Sequence, residues 1–252
     1  MDKIPISVFI IAQDEEQHIA RVLDSCQQFS EIIVVDSGSS DNTKSIAESK
    51  GAKVLHHDWV GYAKQKQYAM SLCKNDWVLN LDADEELTPD ITQEFKRFVS
   101  SKHDFVALKC RRNDIFIGRF FSKLTRLPTN TRLFKKDHVQ YYIDNLVHEG
   151  PEIKGKLKHT SKFFNHYGYS NIDQLTEKYN KYSTLKAQEK FNKGKKSSLL
   201  KIVLIYPLEF IRNYIIYRYC FSGIRGFIFA NLSAYYALSK EAKLYELSKT
   251  SK

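Results

Sequence analysis

Four short apolar runs, each adjoining a helical pattern, constrain the fold of this chain more than any other feature. Ile6-Ser7-Val8-Phe9-Ile10-Ile11-Ala12 is short enough for a strand, and Asp14-Glu15-Glu16 then opens a helical pattern through Ile19, Val22, Leu23 and Cys26. Glu31-Ile32-Ile33-Val34-Val35 is the second run, ending at Asp36-Ser37-Gly38-Ser39-Ser40-Asp41-Asn42-Thr43, a turn-rich stretch that caps a helix to about Gly51. Residues 52–56 make a short third strand, and a helix over residues 62–74 leads to the fourth run, Trp77-Val78-Leu79-Asn80-Leu81. Near-continuous apolar strands alternating with helices predict a parallel sheet covered on both faces, with ligands outside the strand carboxyl ends. Asp14 or Glu15, Asp36, and Asp82 with Asp84 then gather at one rim.

The fourth run leads directly into Asp82-Ala83-Asp84. In extended geometry residues i and i+2 share a face, so both carboxylates can point beyond the strand end. Mg²⁺ or Mn²⁺ held by one or two carboxylates completes its shell with water and substrate phosphate oxygens, which makes a diphosphate the natural ligand. The plainer alternative is a solvated acidic turn, because Thr88-Pro89-Asp90 reads as an N-cap, a first-turn proline and a dipole-complementing acid. Asp36 likewise reads equally as a turn former.

These segments match a known pattern. Through Ile10-Ile11-Ala12-Gln13-Asp14-Glu15-Glu16, the stretch from Ile32 to Thr43, and Leu81-Asp82-Ala83-Asp84-Glu85, the chain resembles inverting family-2 glycosyltransferases of the GT-A fold. Gly61-Tyr62-Ala63-Lys64-Gln65-Lys66-Gln67-Tyr68-Ala69, Asn145-Leu146-Val147-His148-Glu149 and the basic, aromatic C-terminal region are similar to the subgroup that adds glucose to the inner core of bacterial lipopolysaccharide. The family usually has an Asn before the Glu of the first loop, where this chain has Asp14. The resemblance implies an α/β GT-A nucleotide-diphospho-sugar transferase fold, with a mostly parallel central sheet flanked by helices. Asp36 would then recognise the uracil, Glu15 the nucleoside, and Asp82 the ribose and diphosphate. Asp84, with Asp82, would bind Mg²⁺ or Mn²⁺. Lys66 could add positive charge at the phosphates, although a helical lysine is more often a solvated face residue. His166 could supplement the metal or phosphate site, or sit as a buried, hydrogen-bonded histidine between aromatics. Inverting transfer also needs a base for the acceptor hydroxyl. Glu149 is the candidate, with His148 and Asp144 behind it, and the ordinary alternative is a solvated His-Glu pair before the Gly150-Pro151 turn.

Composition narrows the partners. Lys+Arg 39 against Asp+Glu 29 leaves a net charge of +10, and the basic excess concentrates after Asn192. There Lys201, Glu209, Arg212 and Asn213 fall on one side of a helical projection and apolar residues occupy the rest. Such a segment fits an interfacial helix on an anionic membrane surface, or a helix packed on the catalytic domain or on a second subunit. Pro207 would kink it or start its second half. The expected organisation is a catalytic domain over residues 1–191, with a nucleotide-binding half (1–100) and an acceptor-side half (101–191), and a basic amphipathic helical extension over 192–252. Within the acceptor half, residues 109–136 carry Arg111, Arg112, Phe116, Arg119, Phe120, Phe121, Arg126 and Arg132, suited to a phosphorylated saccharide or else a solvated loop. Residues 192–198 read as a mobile linker.

Four widely spaced cysteines without a C-x-x-C pair predict reduced thiols. The N-terminal run is interrupted by Pro5 and lacks signal-peptide anatomy, so the expected location is cytoplasmic, peripheral on the inner face of the cytoplasmic membrane. His56 and His57 would point to opposite faces of a strand and read as structural. A nucleotidyltransferase would be expected to begin with a Gly-rich basic loop, which Gln13-Asp14-Glu15-Glu16 is not. No nucleic-acid partner is expected, since no recognised motif is present and a carboxylate rim repels phosphates unless a metal intervenes. The partners that remain are a UDP-sugar donor and, as acceptor, the lipopolysaccharide inner core or another lipid-linked or capsular saccharide.

Overall fold

The computed structural model describes residues 2–141, 150–169 and 171–250. The chain packs as two compact units, Met1–Asn113 with Pro128–Gly168, and Asp114–Leu127 with Tyr169–Lys252.

In the first unit, β1 (Ile4–Ala12), α1 (Ile19–Ser25), β2 (Phe29–Asp36), α2 (Thr43–Ser49), β3 (Lys53–His56), α3 (Tyr62–Ser71) and β4 (Trp77–Asp82) alternate as the apolar runs require. β1 pairs in parallel with β2 on one side and β4 on the other, and β2 pairs in parallel with β3. Alternation along β1 buries both faces: Val8 and Ile10 join α1 residues Ile19, Val22 and Leu23, whereas Phe9 joins Ala69 and Met70 of α3. Thr88 caps α4 (Pro89–Ser100) by accepting from the Ile91 amide, with Pro89 in the first turn.

Beyond β4 the pairing changes hand. β5 (Glu85–Leu87), β6 (Phe105–Phe116), β7 (Arg119–Phe120), β8 (Thr129–Lys135), β9 (Val139–Gln140), β10 (Glu152–Ile153) and β11 (Lys156–Tyr169) follow. The main sheet runs β3-β2-β1-β4-β8-β6-β11-β5, with β4–β8, β8–β6 and β11–β5 antiparallel. The sheet is therefore mixed: its first four strands are parallel as expected, and the rest are not. The described chain offers no α-helix between Ser100 and Ile172 to make parallel crossovers.

The second unit holds α5 (Ile172–Asn192), α6 (Leu199–Ile211), a π-helical turn (Arg212–Ile216) and α7 (Gly223–Thr250). Its core joins Phe116, Phe121, Leu175, Tyr219 and Phe229. Two aromatics expected to serve an acceptor, Phe116 and Phe121, thus have a packing role. Pro207 lies inside α6 without ending it. The linker before α6 is tied down, because Ser197 Oγ donates to Glu241 Oε2 at 3.1 Å. All four cysteines are free thiols, three of them buried; burial pushes Cys26 and Cys73 up to about 12, which makes them inert packing groups.

Candidate active site

Strand register assembles the rim. Ala12, the last residue of β1, pairs with Asp36 at the end of β2, and Ile11 pairs with Asp82 at the end of β4. Three loops therefore leave the sheet side by side at its carboxyl edge.

The first loop is zipped onto the second. The amides of Asp14, Glu15 and Glu16 donate to Ser39 Oγ (2.9 Å), Thr43 Oγ1 (2.7 Å) and Asp41 Oδ2 (3.1 Å). In return the Ser40 amide donates to Asp14 Oδ1 (2.7 Å) and the Asn42 amide to Glu16 Oε2 (3.2 Å). The helix expected to open at Asp14 begins only at Ile19, because Asp14 has φ 55° and cannot sit inside a right-handed helix. This backbone also accounts for Asp14 in place of the usual Asn: both tolerate the left-handed region, and the Oδ1 contact asks only for an acceptor.

Asp36 is buried and accepts from the Gly38 and Ser39 amides, both at 3.0 Å, and from Ser39 Oγ. A carboxylate offers about four acceptor sites, so one remains for a ligand N–H. Gln65 of α3 supports this turn from below, donating to Ser37 Oγ (3.0 Å) and to the His57 carbonyl (2.9 Å). His57 stacks on Tyr68, and His56 contacts Asp58, so this pair is structural.

Asp82 and Asp84 do not share a strand face as extended geometry anticipated. β4 ends at Asp82, and a turn through Ala83 and Asp84 intervenes before β5, which breaks the alternation. Asp82 is held between two cations, Lys66 Nζ at 2.8 Å and Arg132 at 2.7 Å. Burial works against its ionisation, but Arg132 and Lys66 outweigh that and hold the carboxyl well below the usual range. Lys66 is therefore a buried ion-pair partner and not a solvated helix residue. Arg132, expected among the acceptor-side arginines, lies buried beneath Asp82, also paired with Glu85. Tyr141 Oη donates to Asn80 Oδ1 at 3.3 Å within the same buried network.

Asp84 has different company. The β5–β11 pairing sets His166 opposite Glu85, and the Tyr167 amide donates to the Asp84 carbonyl at 2.9 Å. His166, nearly fully buried, places Nε2 3.3 Å from Asp84 Oδ2. Gly168 adjoins both: a Cβ there would collide with Asp84 Oδ2 and lie 2.7 Å from His166 Nε2. His18, which the sequence reading passed over, is close enough for Asp84 and His166 to act on its charge, and its Nδ1 is buried without a hydrogen-bond partner. Burial lowers its pKa, with Asp84 opposing. The available signal was its place just after the acidic first loop, at the start of α1.

Among the described residues no group of three or more His, Cys, Asp or Glu side chains is arranged to hold a metal alone. Asp84 with His166, beside a glycine that keeps the space clear, fits a cation that takes most of its shell from water and phosphate. Both oxygens of Asp82 are taken by cations, which makes Asp84 the better ligand of the two. Glu149, with His148 and Asp144, lies outside the described residues.

Glu85 is fully buried beside Asp82 and Asp84, and burial, with Arg132 opposing, raises its carboxyl to about 7. A folded-state value above the unfolded one means that Glu85 contributes stability at low pH that is lost as pH rises through about 7. Glu85→Gln mimics the protonated form. Relative to this variant the wild type should therefore lose more than about 1 kcal/mol between pH 5 and pH 8. Denaturant melts of both proteins at the two pH values measure this; a wild-type advantage that grows with pH would show Glu85 ionised against Arg132 throughout.

Comparison with known proteins shows the family and the fold. The model of "Glycosyl transferase family 2" matches residues 7–155. The chain is 31% identical over 251 residues to the lipopolysaccharide core biosynthesis glycosyltransferase LpsC of Rhizobium meliloti (strain 1021), covering 97% of this chain and 93% of that protein. It is 34% identical over 259 residues to an uncharacterized glycosyltransferase of Rickettsia bellii (strain RML369-C), covering 96% of this chain and 87% of that one. Among solved structures, S. aureus TarS 1-349 in complex with UDP superposes with a TM-score of 0.51 at 13% identity, over 98% of this chain and 92% of that one. Glucosyl-3-phosphoglycerate synthase from Mycobacterium tuberculosis, solved with Mn²⁺, UDP and glucosyl-3-phosphoglycerate, gives 0.50 at 17% identity over 77% and 81%. The fold is the GT-A type of α/β architecture. The chain belongs to glycosyl transferase family 2, and it is a glycosyltransferase.

Proposed function

We propose that this enzyme moves a hexose, glucose by preference, from a UDP-sugar to an inner-core heptose of lipopolysaccharide, on the cytoplasmic side, with inversion at the anomeric carbon. The donor half of this reading is carried by one observation, the strand register that sets the Asp36 turn and the Asp82–Asp84 turn on either side of β1. The acceptor half is supported by the likeness to LpsC over nearly the whole chain.

In this reading Asp36 accepts the uracil N3–H at its remaining acceptor site, and Glu15 contacts the nucleoside from the first loop. Asp84 and His166 would hold Mg²⁺ or Mn²⁺, which when bound would neutralise charge on the departing UDP. Asp82 orients Lys66 and Arg132 near the ribose and diphosphate, so their positive charge is fixed before the donor arrives. Glu149 takes the proton from the acceptor hydroxyl as its oxygen bonds to the anomeric carbon and the bond to UDP breaks. Single displacement leaves no glycosyl-enzyme intermediate.

The test is incubation with Mg²⁺ or Mn²⁺, a panel of UDP-sugars and deep-core lipopolysaccharide, followed by mass spectrometry of the lipid product. A gain of one hexose from UDP-glucose is expected; transfer only to a different lipid-linked saccharide would redirect the acceptor assignment. The base contact has its own prediction. Asp36→Ala removes a charged acceptor, so UDP affinity measured by calorimetry should fall by roughly 10- to 100-fold. Equal affinity in the two proteins would remove Asp36 from the nucleotide site.

A further inference from the structure

The second unit carries a helix that leaves a wide apolar side exposed. α6, its π-helical continuation and α7 form an antiparallel pair: Lys201 meets Glu241 at 3.2 Å, Tyr206 Oη donates to Asn231 Oδ1 at 2.7 Å, and Phe210 and Tyr214 both meet Phe227. These contacts fix which side of α6 faces α7. Half of the polar stripe read from the sequence is turned inward: Asn213 is buried and donates to the carbonyl of half-buried Glu209, while Lys201 and Arg212 stay exposed at the edge, Lys201 pairing with the buried carboxylate of Glu241. The opposite side is exposed. Leu200, Leu204, Leu208, Ile211 and Ile215 follow one another at spacings of three and four residues with Val203 beside them, and Leu200 and Val203 are 70% and 61% exposed. A helix on a water-facing surface places its charges outward and its apolar stripe inward. A contiguous exposed apolar face of this kind marks an interaction site.

We propose that this face docks into one leaflet of an anionic lipid bilayer, with α6 lying in the interface plane. Charge selects this occupant. Lys195 and Lys196 are exposed just before the helix, and Arg126, Arg212 and Arg218 are exposed where it ends. Arg126 and Arg212 both lie over the Tyr217 ring, at 5.6 Å and 5.5 Å from its centroid. Basic groups at both ends of an apolar face, with a tyrosine among them, complement phosphate headgroups above an acyl layer. A second copy of the same chain would bring like charges together at both ends of a two-fold interface. The mode is interfacial, since among the described residues no helix is long and apolar enough to cross a membrane.

The experiment is flotation of the full chain with vesicles of phosphatidylcholine alone, or of phosphatidylcholine with phosphatidylglycerol. It is run at low salt and at about 1 M, where the Debye length falls to about 3 Å. Wild type should float with the anionic vesicles and less so at high salt. The Leu204→Glu/Leu208→Glu variant should lose at least about tenfold in partitioning, as charges replace side chains that enter the acyl boundary. Lys195→Glu/Lys196→Glu changes only exposed residues before the helix; it should weaken binding and reduce the salt dependence, which keeps the idea testable should the leucine variant misfold. Absence of wild-type flotation on anionic vesicles, or flotation of both variants equal to wild type, would overturn the proposal. So would light scattering that finds a dimer dissociated by the leucine substitutions.

Discussion

Asp84→Ala should abolish metal-dependent turnover, lowering kcat by at least about 10³-fold. Charge neutralisation by a bound cation at a departing phosphate is worth several kcal/mol, and each 1.4 kcal/mol is about tenfold in rate. The substitution removes the only carboxylate of the Asp82–Asp84 pair that is not held between two cations, and leaves His166 unable to anchor a divalent ion alone. The fold should survive, because the contact Asp84 makes to β11 through its carbonyl is retained. Asp82→Ala should behave differently. Lys66 and Arg132 are both buried against Asp82, so that variant should lose stability along with activity. Initial rates of UDP release under Mn²⁺ titration, with denaturant melts of both variants, separate the two roles. Unchanged rates in Asp84→Ala, together with chelator-insensitive wild-type turnover, would remove the metal from the account.

Glu149→Gln should leave UDP binding intact while slowing transfer by about 10² to 10⁴, the usual worth of a general base. The amide keeps size and much of the hydrogen bonding but cannot take the acceptor proton. The described chain enters this segment at Tyr141, which is buried, with its amide donating to Gln67 Oε1 at 3.0 Å. The chain is thus anchored beside the Asp82 network eight residues before Glu149. Near wild-type transfer at saturating donor and acceptor would rule Glu149 out and send the search to His148 or Asp144.

What was legible in the sequence was local. Apolar runs of strand length gave β1, β2 and β4, the turn chemistry of residues 36–43 gave the second loop, and Thr88-Pro89-Asp90 gave the start of α4. What escaped depends on pairing across long stretches of chain. Arg132 reads as one more arginine in a basic, aromatic stretch until β8 pairs antiparallel with β4 and sets it under Asp82, fifty residues earlier. His166 likewise gains its meaning only when β11 pairs with β5 and brings it to Asp84. In α6 the periodicity revealed a polar stripe and an apolar face, but not which of the two meets the protein; that depends on Glu241, Asn231 and Phe227 of α7. Periodicity reports that a helix has two sides, and only the partner decides which one is inside.

The proposed reaction has the carboxylate rim bind a UDP-sugar and pass its hexose on in one displacement. Proton NMR of the product formed from UDP-glucose, Mg²⁺ or Mn²⁺ and deep-core lipopolysaccharide tests it directly, because the anomeric coupling reports both transfer and stereochemistry. Metal-dependent formation of a β-linked glucose from the α-linked donor is expected. An α-linked product, or no transfer from any UDP-sugar with metal present, would contradict it.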